Sequence, residues 1–447
     1  MRLKYFLPLL CIFLIFSCKD SSNPETAQTP LDPEAYWGEN PWPEIRTKRI
    51  NTLLPKAMEA AGVDCWIVVC RENNNDPIAD HIGGENAGGT AAFLFYIDAD
   101  GFHSKVFSPS GEATALGDLK IHDEVVSVAR GTSALSMAAD FIKEADFKTI
   151  AVNSSETNST ADGLSYTQRM ELEELLADQS DRLVSSTELV YEWLSIKLPQ
   201  EVEILKKAAQ LTADWQIEAY KEVVPGISTD ADIARFLKAK MAEYGVTDGW
   251  APDQNPNVNS GADRGHSHAT DKVIMPGDVI QIDFGIKVYD RWVSDIQRFA
   301  YVLKEGETAA PEDIQYYWDS GKAGNRAALA AMAPGIKGID VDRAQRVLME
   351  AAKSEYVMWS TGHPVGYVAH DVGPNLGGSQ SSHVRPAANK PLKQGMTFAF
   401  DGFHAWKLES GGTKTISVEE MAVVTEDGAE YLISPQEDLI LIGGKEE

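Results

Sequence analysis

Cysteine is scarce in this chain, with four residues in 447. Two of them, Cys65 and Cys70, begin and end the apolar run Cys-Trp-Ile-Val-Val-Cys. On a strand, an interval of five residues turns the two side chains to opposite faces, so these thiols cannot bond to each other. A disulfide framework is therefore excluded, and we expect buried strand thiols in a fold that is held together by its hydrophobic core.

Positive charge is scarce as well, with 40 Lys and Arg against 67 Asp and Glu and a formal net charge of −27. Such a chain repels phosphate backbones and anionic headgroups, which excludes nucleic acid as an expected partner. Most of the surplus carboxylates belong on a solvated surface, but a few can gather around a divalent cation. A hydrophobic content of 43% over this length supports a real core and predicts two domains.

One long apolar run, residues 6–16, follows Arg2 and Lys4 near the start of the chain. It is too short for a membrane span and has the charge layout of a signal peptide. The Ile-Phe-Ser-Cys sequence that follows it, ending at Cys18, resembles a bacterial lipobox. This resemblance implies cleavage before Cys18 and acylation of its thiol; an ordinary cleaved signal or a short anchor is the alternative.

Cleavage at that point gives a signal peptide of residues 1–17 and a lipidated tether of residues 18–34, which is rich in Ser, Pro, Thr, Asp and Glu. Acyl chains contribute ~0.8 kcal/mol per buried methylene, so a multiply acylated cysteine anchors a soluble domain stably. We therefore predict a cell-envelope lipoprotein that contacts the membrane through Cys18. Lys19 favours the outer membrane, on its periplasmic or surface face.

The remainder of the chain divides near residue 198. A helical pattern over residues 45–61, followed by strands at residues 65–70 and 91–97, predicts an α/β domain. This first domain covers residues 35–197. A long amphipathic helix over residues 202–223 then opens a second domain, which covers residues 198–442.

The second domain repeats itself. The sequence Pro-Gly-Ile at residues 225–227 returns 109 residues later, each time before a polar stretch and a predicted helix. Gly277 and Gly395, 118 residues apart, each open an alternating apolar strand. Both strands deliver an aspartate at the same offset, Asp283 in the first and Asp401 in the second. Two repeated patterns in the same order predict that the second domain consists of two related helix–strand halves. Carboxylates from both halves are then expected to meet between them.

Asp283 and Asp295 flank a predicted hairpin whose turn lies near residues 289–291. A turn centred on residue 289 would place the two carboxylates directly opposite each other, with Cβ atoms ~4.5–5.5 Å apart. Two like charges at this distance are best explained by a bound divalent cation, because carboxylates are its natural ligands. A surface hairpin with two solvated aspartates is the alternative.

Two further candidates lie later in the chain. His363 stands in a loop-like Gly-His-Pro-Val-Gly segment, where a lone histidine is more often a polar surface residue than a ligand. In the apolar strand over residues 416–424, period-two alternation places Glu419 on the face of Ser417 and Glu420 on the opposite face. A carboxylate inside so apolar a strand is costly unless it is paired or bound to metal.

These residues and their contexts together resemble the dinuclear metal site of the pita-bread metallopeptidases, which include methionine aminopeptidase, Xaa-Pro aminopeptidase and prolidase. The candidate ligands, in chain order, are Asp283, Asp295, His363, Asp401 and Glu419. The sequence motifs around them include Asp-Phe-Gly, Ser-Asp-Ile-Gln-Arg and Gly-His-x-x-Gly-x-x-x-His-Asp. The resemblance covers residues 198–440 and implies an α/β (α+β) fold with a duplicated pita-bread catalytic domain. Residues 35–197 are similar to the amino-terminal domain of the creatinase and prolidase branch, which favours proline-directed enzymes.

The resemblance also implies a role for each residue. Asp283 would chelate one of two divalent ions, Asp295 and Glu419 would bridge both, and His363 and Asp401 would complete one ion each. Manganese is the expected metal, with cobalt or zinc as alternatives. His266 and His370 would face the substrate, with His370 stabilising the oxyanion and Asp401 passing a proton to the leaving amine. Polar surface is the alternative for both histidines, and His268 competes with His266 for its assignment.

Some positions depart from the family pattern. Asp401 stands where the family normally has glutamate, and its side chain is one methylene shorter. Ser417 replaces a frequent arginine, and Trp359 stands where aminopeptidases of this branch often have histidine. The interval from Asp283 to Asp295 is one residue longer than usual, which a three-residue turn or a bulge could absorb. These departures bear on the substrate more than on the metal site.

We therefore predict a lipid-anchored, two-metal peptidase that cleaves the bond before proline in Pro-containing peptides, as an aminopeptidase or a dipeptidase. Two ions ~3.5–4 Å apart would hold a hydroxide and polarise the scissile carbonyl. One alternative is a metal-free, creatinase-like C–N hydrolase on the same fold. Another is a catalytically idle binding or scaffold protein. The family resemblance alone implies a homodimer.

Overall fold

A computed structural model describes residues 32–265 and 267–443 and shows a mixed α/β fold. The predicted signal peptide, the predicted lipidation site Cys18 and the candidate His266 lie outside the described residues. Within the described ranges, no helix has the length and apolar character that crossing a bilayer requires.

Helices and strands are interspersed along the whole of the described chain. The helices are α1 (Pro33–Trp37), α2 (Trp42–Thr52), α3 (Leu54–Ala61), α4 (Ala79–Ile82), α5 (Ser110–Asp118), α6 (Ala134–Ala145), α7 (Tyr166–Leu176), α8 (Thr187–Leu194), α9 (Pro199–Lys221), α10 (Asp230–Glu243), α11 (Glu312–Ala331) and α12 (Gly338–Ala351). The strands are β1 (Cys65–Cys70), β2 (Ala91–Asp98), β3 (Gly101–Pro109), β4 (Glu124–Val128), β5 (Ile150–Val152), β6 (Leu183–Ser185), β7 (Thr247–Asp248), β8 (Asn257–Ser260), β9 (Val279–Phe284), β10 (Ile286–Val288), β11 (Trp292–Val293), β12 (Ile296–Val302), β13 (Gly362–Pro364), β14 (Thr397–Lys407), β15 (Thr413–Val424), β16 (Ala429–Tyr431) and β17 (Ile440–Ile442).

The amino-terminal part is built on a six-stranded sheet in the order β4-β3-β2-β1-β5-β6. The predicted helix over residues 45–61 is in fact two helices, α2 and α3, separated at Leu53. Gly62 ends α3 with a φ of 66°, a left-handed conformation that glycine adopts without steric cost. Strand β1 is confirmed, and its two thiols, Cys65 and Cys70, are buried in different hydrophobic clusters and form no disulfide.

The later part carries two four-stranded sheets, in the orders β17-β12-β9-β8 and β13-β14-β15-β16, and a small sheet β11-β10-β7. Its two halves repeat the same backbone contact after the Pro-Gly turn. Gly226 N donates to the Ile274 carbonyl at 2.8 Å, and Gly335 N donates to the Leu392 carbonyl at 2.8 Å. In each half a helix follows the turn, and a strand that bears an aspartate follows the helix. The predicted duplication is therefore visible in the backbone hydrogen bonds.

Helix α11 packs directly on strands β14 and β15. A Cβ atom at Gly402 would lie 2.0 Å from the Gly321 carbonyl oxygen, so only glycine permits this approach. Asn325 of the same helix donates from Nδ2 to the carbonyls of Phe400 and Val418 at 2.9 and 3.0 Å. These contacts hold the two strands that carry Asp401 and Glu419 against the helix.

Candidate metal centre

The hairpin that carries Asp283 and Asp295 turns within residues 289–291, as predicted, but the turn is centred one residue later than residue 289. Strand pairing sets Val288 opposite Trp292, which leaves a three-residue loop centred on residue 290. The expectation that Asp283 and Asp295 face each other directly is therefore wrong, because Asp283 pairs with Gln297. Asp295 lies two residues before Gln297, between β11 and β12. Both aspartates are buried, at 4% and 5% exposure.

His363 lies on the short strand β13 rather than in a loop. Its backbone pairs with Ala399 of β14, which fixes the direction of the side chain. The ring Nδ1 is 3.2 Å from the Pro364 carbonyl, and Nε2 is 3.7 Å from Asp295 Oδ2 and 4.0 Å from Glu419 Oε1. In the tautomer that donates Nδ1–H to Pro364, Nε2 presents its lone pair toward the two carboxylates.

Asp401 and Glu419 are directly paired neighbours on strands β14 and β15. Both are buried, at 8% and 3% exposure. Within the described part of the chain, Glu419 Oε2 is buried and accepts no hydrogen bond. A buried carboxylate oxygen in this state is destabilising, and a cation ligated there would compensate for it. Glu420, on the opposite face, has a charge partner within the chain, because its Oε1 lies 3.0 Å from Arg298 Nη1.

Three of the five predicted ligands meet within the geometry of one ion. One ligand atom from each of Asp295, His363 and Glu419 lies within 4.8 Å of the other two. Asp283 and Asp401 stand outside this group but close enough to act electrostatically on its acids. We call Asp283, Asp295, Asp401 and Glu419 the carboxylate cluster. Buried carboxylates with one imidazole are a donor set that fits divalent manganese, cobalt or zinc.

The carboxylate cluster strongly disfavours its own ionisation. Burial, followed by the charges of Asp283 and Asp401, raises the pKa of Asp295 well above its ordinary value. Burial, followed by the charges of Asp295, Asp401 and Asp283, raises the pKa of Glu419 well above its ordinary value. Gln297 opposes the second shift through a hydrogen bond. Divalent cations would supply the missing positive charge and stabilise the ionised forms.

The substrate-facing candidates are only partly described. His370 is exposed, and its ring centroid is 4.2 Å from that of His363 at an interplanar angle of 74°. It therefore stands at the solvent side of the carboxylate cluster, where a substrate would approach. His266 lies outside the described residues, and His268 is exposed.

Three neutral polar side chains, Gln281, Gln297 and Ser417, lie beside the carboxylate cluster, and the two glutamines were not among the predicted site residues. Gln281 donates from Nε2 to Gln297 Oε1 at 2.6 Å, and the Ser417 hydroxyl donates to the same oxygen at 2.5 Å. Ser417, which stands in place of the family's frequent arginine, thus hydrogen-bonds to amide side chains. The sequence could have identified Gln281 as a neighbour of the site, since period-two alternation places it on the same strand face as Asp283.

Trp359 lines a cavity of about 260 Å³ just before strand β13. Its side chain is 43% exposed. Buried Arg346 and Asp342 form one wall of the cavity, and Arg346 donates to the Val357 carbonyl at 2.8 Å and to the Trp359 carbonyl. The residue that departs from the aminopeptidase pattern is therefore an accessible aromatic surface close to the His363 strand.

Comparison with known proteins gives a match in family and in fold. Residues 203–426, half of the chain, match the model described as metallopeptidase family M24. A probable dipeptidase, PepE, of Mycobacterium bovis is 27% identical over 263 residues, which cover 58% of this chain and 64% of that protein. The chain thus spans somewhat less than two thirds of this relative's length.

The structural matches extend into the amino-terminal part. An X-Pro aminopeptidase from Thermotoga maritima aligns with 87% of this chain and 100% of its own, with a TM-score of 0.64 and 20% identity. The dipeptidase PepE from Mycobacterium ulcerans aligns with 90% of this chain and 98% of its own, with a TM-score of 0.65 and 21% identity. At these identities, the two likenesses establish a shared fold.

Proposed function

The chain belongs to metallopeptidase family M24, and from this premise we propose that it hydrolyses the peptide bond before proline with the help of two divalent cations. The observation that carries the proposal is that ligand atoms of the buried carboxylates Asp295 and Glu419 and of the half-buried His363 lie within 4.8 Å of one another. Several acidic side chains buried beside one imidazole would destabilise a hydrophobic core that bound no cation.

Each member of the centre has a proposed place. Asp295 and Glu419 are central to the group and would help to hold both ions. Asp283 would bind one ion, and His363 and Asp401 would complete one ion each. When bound, the cations supply Lewis-acid polarisation of the scissile carbonyl and a more acidic water. Manganese is the first candidate, ahead of cobalt and zinc.

The chain's own groups then move protons and orient the substrate. Asp401 would accept a proton from the attacking water on its carboxylate and donate it to the leaving proline nitrogen. His370 would hydrogen-bond the substrate carbonyl as it acquires negative charge. His266 is proposed as a second substrate contact from its place in the sequence.

The names of the relatives support a proline-directed or dipeptide substrate. One relative is named an X-Pro aminopeptidase and another a probable dipeptidase. Proline peptides need a dedicated site because the residue lacks an N–H and has a fixed ring. The exposed Trp359 beside the cavity is an apolar surface suited to such a ring.

The decisive experiment is a substrate panel on protein that has been stripped by chelator and reloaded. We expect turnover of Xaa-Pro dipeptides or longer Xaa-Pro peptides with manganese, and its loss after chelation. Full activity after exhaustive chelation would instead support the metal-free hydrolase. Absence of turnover with manganese, cobalt or zinc at every peptide length would support the idle binding protein.

We also propose that Cys18 anchors the protein to the outer membrane and that the protein is a homodimer. The support is the lipobox-like sequence before Cys18 and the family resemblance. Metabolic labelling with a radioactive fatty acid should mark the wild type and not Cys18→Ser. Sedimentation of protein that starts after Cys18 should give twice the chain mass.

A further inference from the structure

A buried hydrogen-bond network joins the amino-terminal part of the chain to the segments that carry the proposed site. Its members are Arg49 of α2, Glu201 in the first turn of α9, Trp292 of β11, and Tyr367, which follows β13. We call these four side chains the junction network. Arg49, Glu201 and Trp292 are 0% exposed, and Tyr367 is 9% exposed.

Glu201 is the centre of the junction network. Its Oε2 accepts from Arg49 Nη1 at 2.7 Å and from the Leu198 N–H at 2.9 Å. Its Oε1 accepts from Trp292 Nε1 at 3.2 Å and from the Tyr367 hydroxyl. Both oxygens are therefore satisfied, and each donor is held in a fixed direction. Hydrogen bonds to a charged acceptor in a buried site are strong and directional.

Arg49 is tied in turn to the chain between the two parts of the fold. It donates to the Trp193 carbonyl at 2.6 Å and to the Ile196 carbonyl at 2.8 Å. Its guanidinium carbon lies 5.4 Å from the centre of the Tyr367 ring. The amino-terminal helix α2 thus contacts the same tyrosine that Glu201 holds.

Tyr367 belongs to the segment that connects His363 to His370. Its backbone N–H donates to Asp371 Oδ2 at 2.9 Å, and Asp371 also meets buried Lys197 at 3.1 Å. The preceding residue, Gly366, accepts from Val293 N at 2.7 Å, which joins this segment to β11. A Cβ atom at Gly366 would lie 2.2 Å from Lys197 Cε, so the backbone at Gly366 packs directly against this buried lysine.

From these contacts we propose that Tyr367, held by Glu201 and Arg49, is a positioning residue for His370. The proposal rests on the proposed function for its kinetic consequence only, since the ordering of residues 363–371 is a property of the chain itself. The network orients the turn that presents His370 and fixes it to the hairpin strand that leads to Asp295. A small displacement of a catalytic group lowers the rate even when the fold is intact.

The test removes one hydroxyl and leaves the ring in place. Tyr367→Phe loses the hydrogen bond to Glu201. The matched control is Tyr301→Phe, because Tyr301 is 1% exposed and its hydroxyl donates to the Glu307 carboxylate at 3.0 Å. Both variants lose one tyrosine–carboxylate hydrogen bond, which is buried at Tyr367 and partly buried at Tyr301, so each variant is expected to be less stable than the wild type.

Amide hydrogen exchange, measured without metal or substrate, is the first readout. In Tyr367→Phe, we expect amides of residues 366–372 to exchange at least tenfold faster, while the remainder of the chain matches the control. Tyr301→Phe should leave that segment unchanged. Unchanged exchange at residues 366–372, or an increase spread evenly over the chain, would overturn the proposal. This readout stands even if no peptide is hydrolysed.

Kinetics give the second readout on metal-loaded protein. Tyr367→Phe should lower kcat roughly tenfold with little change in KM, and Tyr301→Phe should change neither by more than about twofold. In a His370→Ala background, the tyrosine substitution should have almost no further effect on kcat, because it acts through His370. Additive losses in the double variant would contradict the positioning role.

Discussion

The carboxylate cluster and the junction network bury acidic side chains equally well, but they compensate the buried charge in opposite ways. Burial alone would raise the pKa of Glu201, yet Arg49, the Tyr367 hydroxyl and the Leu198 N–H together hold it below its ordinary value. For Glu419, burial and the charges of neighbouring acids both raise the pKa. For Glu201 the chain itself supplies the positive charge, through Arg49, whereas a bound cation would have to supply it for Glu419.

The same contrast gives a physical reason to regard the carboxylate cluster as a binding site and the junction network as a structural element. Arg49 and Glu201 form a neutral pair in which both carboxylate oxygens accept hydrogen bonds, so the buried pair carries no net charge. Four acids that share one buried region repel one another, and they persist only where binding compensates for them. The comparison predicts opposite responses to the same chemical change in the two regions.

The largest effect is expected from Glu419→Gln, which keeps the shape and removes the charge. We expect a loss of activity of at least roughly a thousandfold, or about 4 kcal/mol of transition-state stabilisation. Glu420→Gln is the neighbouring control, because Glu420 pairs with Arg298 on the other face. It should retain metal binding. Equal loss of metal binding in both variants would remove Glu419 from its proposed place.

Glu201→Gln tests the difference between the junction network and the carboxylate cluster by its effect on protein stability. Removal of this charge leaves Arg49 buried without its partner, which should cost about 3–5 kcal/mol in the free energy of unfolding. In the metal-free protein, Glu419→Gln should do the reverse and stabilise. Urea unfolding in the presence of chelator measures both.

Glu192→Gln is the control for Glu201→Gln. Glu192 pairs with Lys393 at 2.5 Å on a partly exposed surface, and the loss of such a pair should cost less than about 1 kcal/mol. A similar cost for the buried and the exposed substitution would contradict the account of the junction network.

The pH dependence of stability should differ in sign between the two regions. Asp295 and Glu419 have raised pKa values, so the metal-free folded state binds more protons than the unfolded chain. Their contribution is therefore present below the unfolded pKa values of about 4 and is lost as pH rises through the raised values. Glu201, whose pKa is lowered, contributes above its unfolded pKa and loses that contribution as pH falls.

Thermal unfolding from pH 4 to pH 8 with and without manganese tests this sign. Without metal, the Tm should fall as the pH rises, and Glu419→Gln should flatten the curve. Added manganese should raise the Tm increasingly toward high pH, because ligation needs ionised carboxylates. A metal-free Tm that rises through this range in parallel with that of Glu419→Gln would contradict the electrostatic account.

The smallest effect is expected at Ser417, which stands beside the carboxylate cluster. Ser417→Ala removes the hydroxyl donor to Gln297 and should cost about 1 kcal/mol of stability, with less than about a tenfold change in kcat. A loss as large as that from Glu419→Gln would mean that Ser417 belongs to the reacting centre. Parallel unfolding and kinetic measurements on the two variants decide this.

Part of the site followed from sequence alone because its signals are local. Strand alternation placed Glu419 and Ser417 on one face, and the echoed glycine turns pointed to Asp283 and Asp401 as matching positions. The register of the hairpin was missed because it depends on where the turn is centred, and one residue of loop moves the partner of Asp283 from Asp295 to Gln297.

The junction network had no comparable signal. Arg49 and Glu201 are 152 residues apart, and neither stands in a motif that distinguishes it from a surface charge. His363 was placed in a loop because a strand of three residues has too few positions for a periodic pattern. Its strand character comes from pairing with Ala399 of β14, which is a tertiary contact.

Metal stoichiometry is the most direct test of the central claim that the carboxylate cluster is a centre for divalent cations. Protein stripped by chelator should be equilibrated with manganese by dialysis and then analysed for metal, alongside Glu419→Gln. We predict two ions per chain for the wild type and a marked loss of bound metal in the variant. Absence of bound manganese, cobalt and zinc from the wild type, or equal binding by the variant, would contradict the claim.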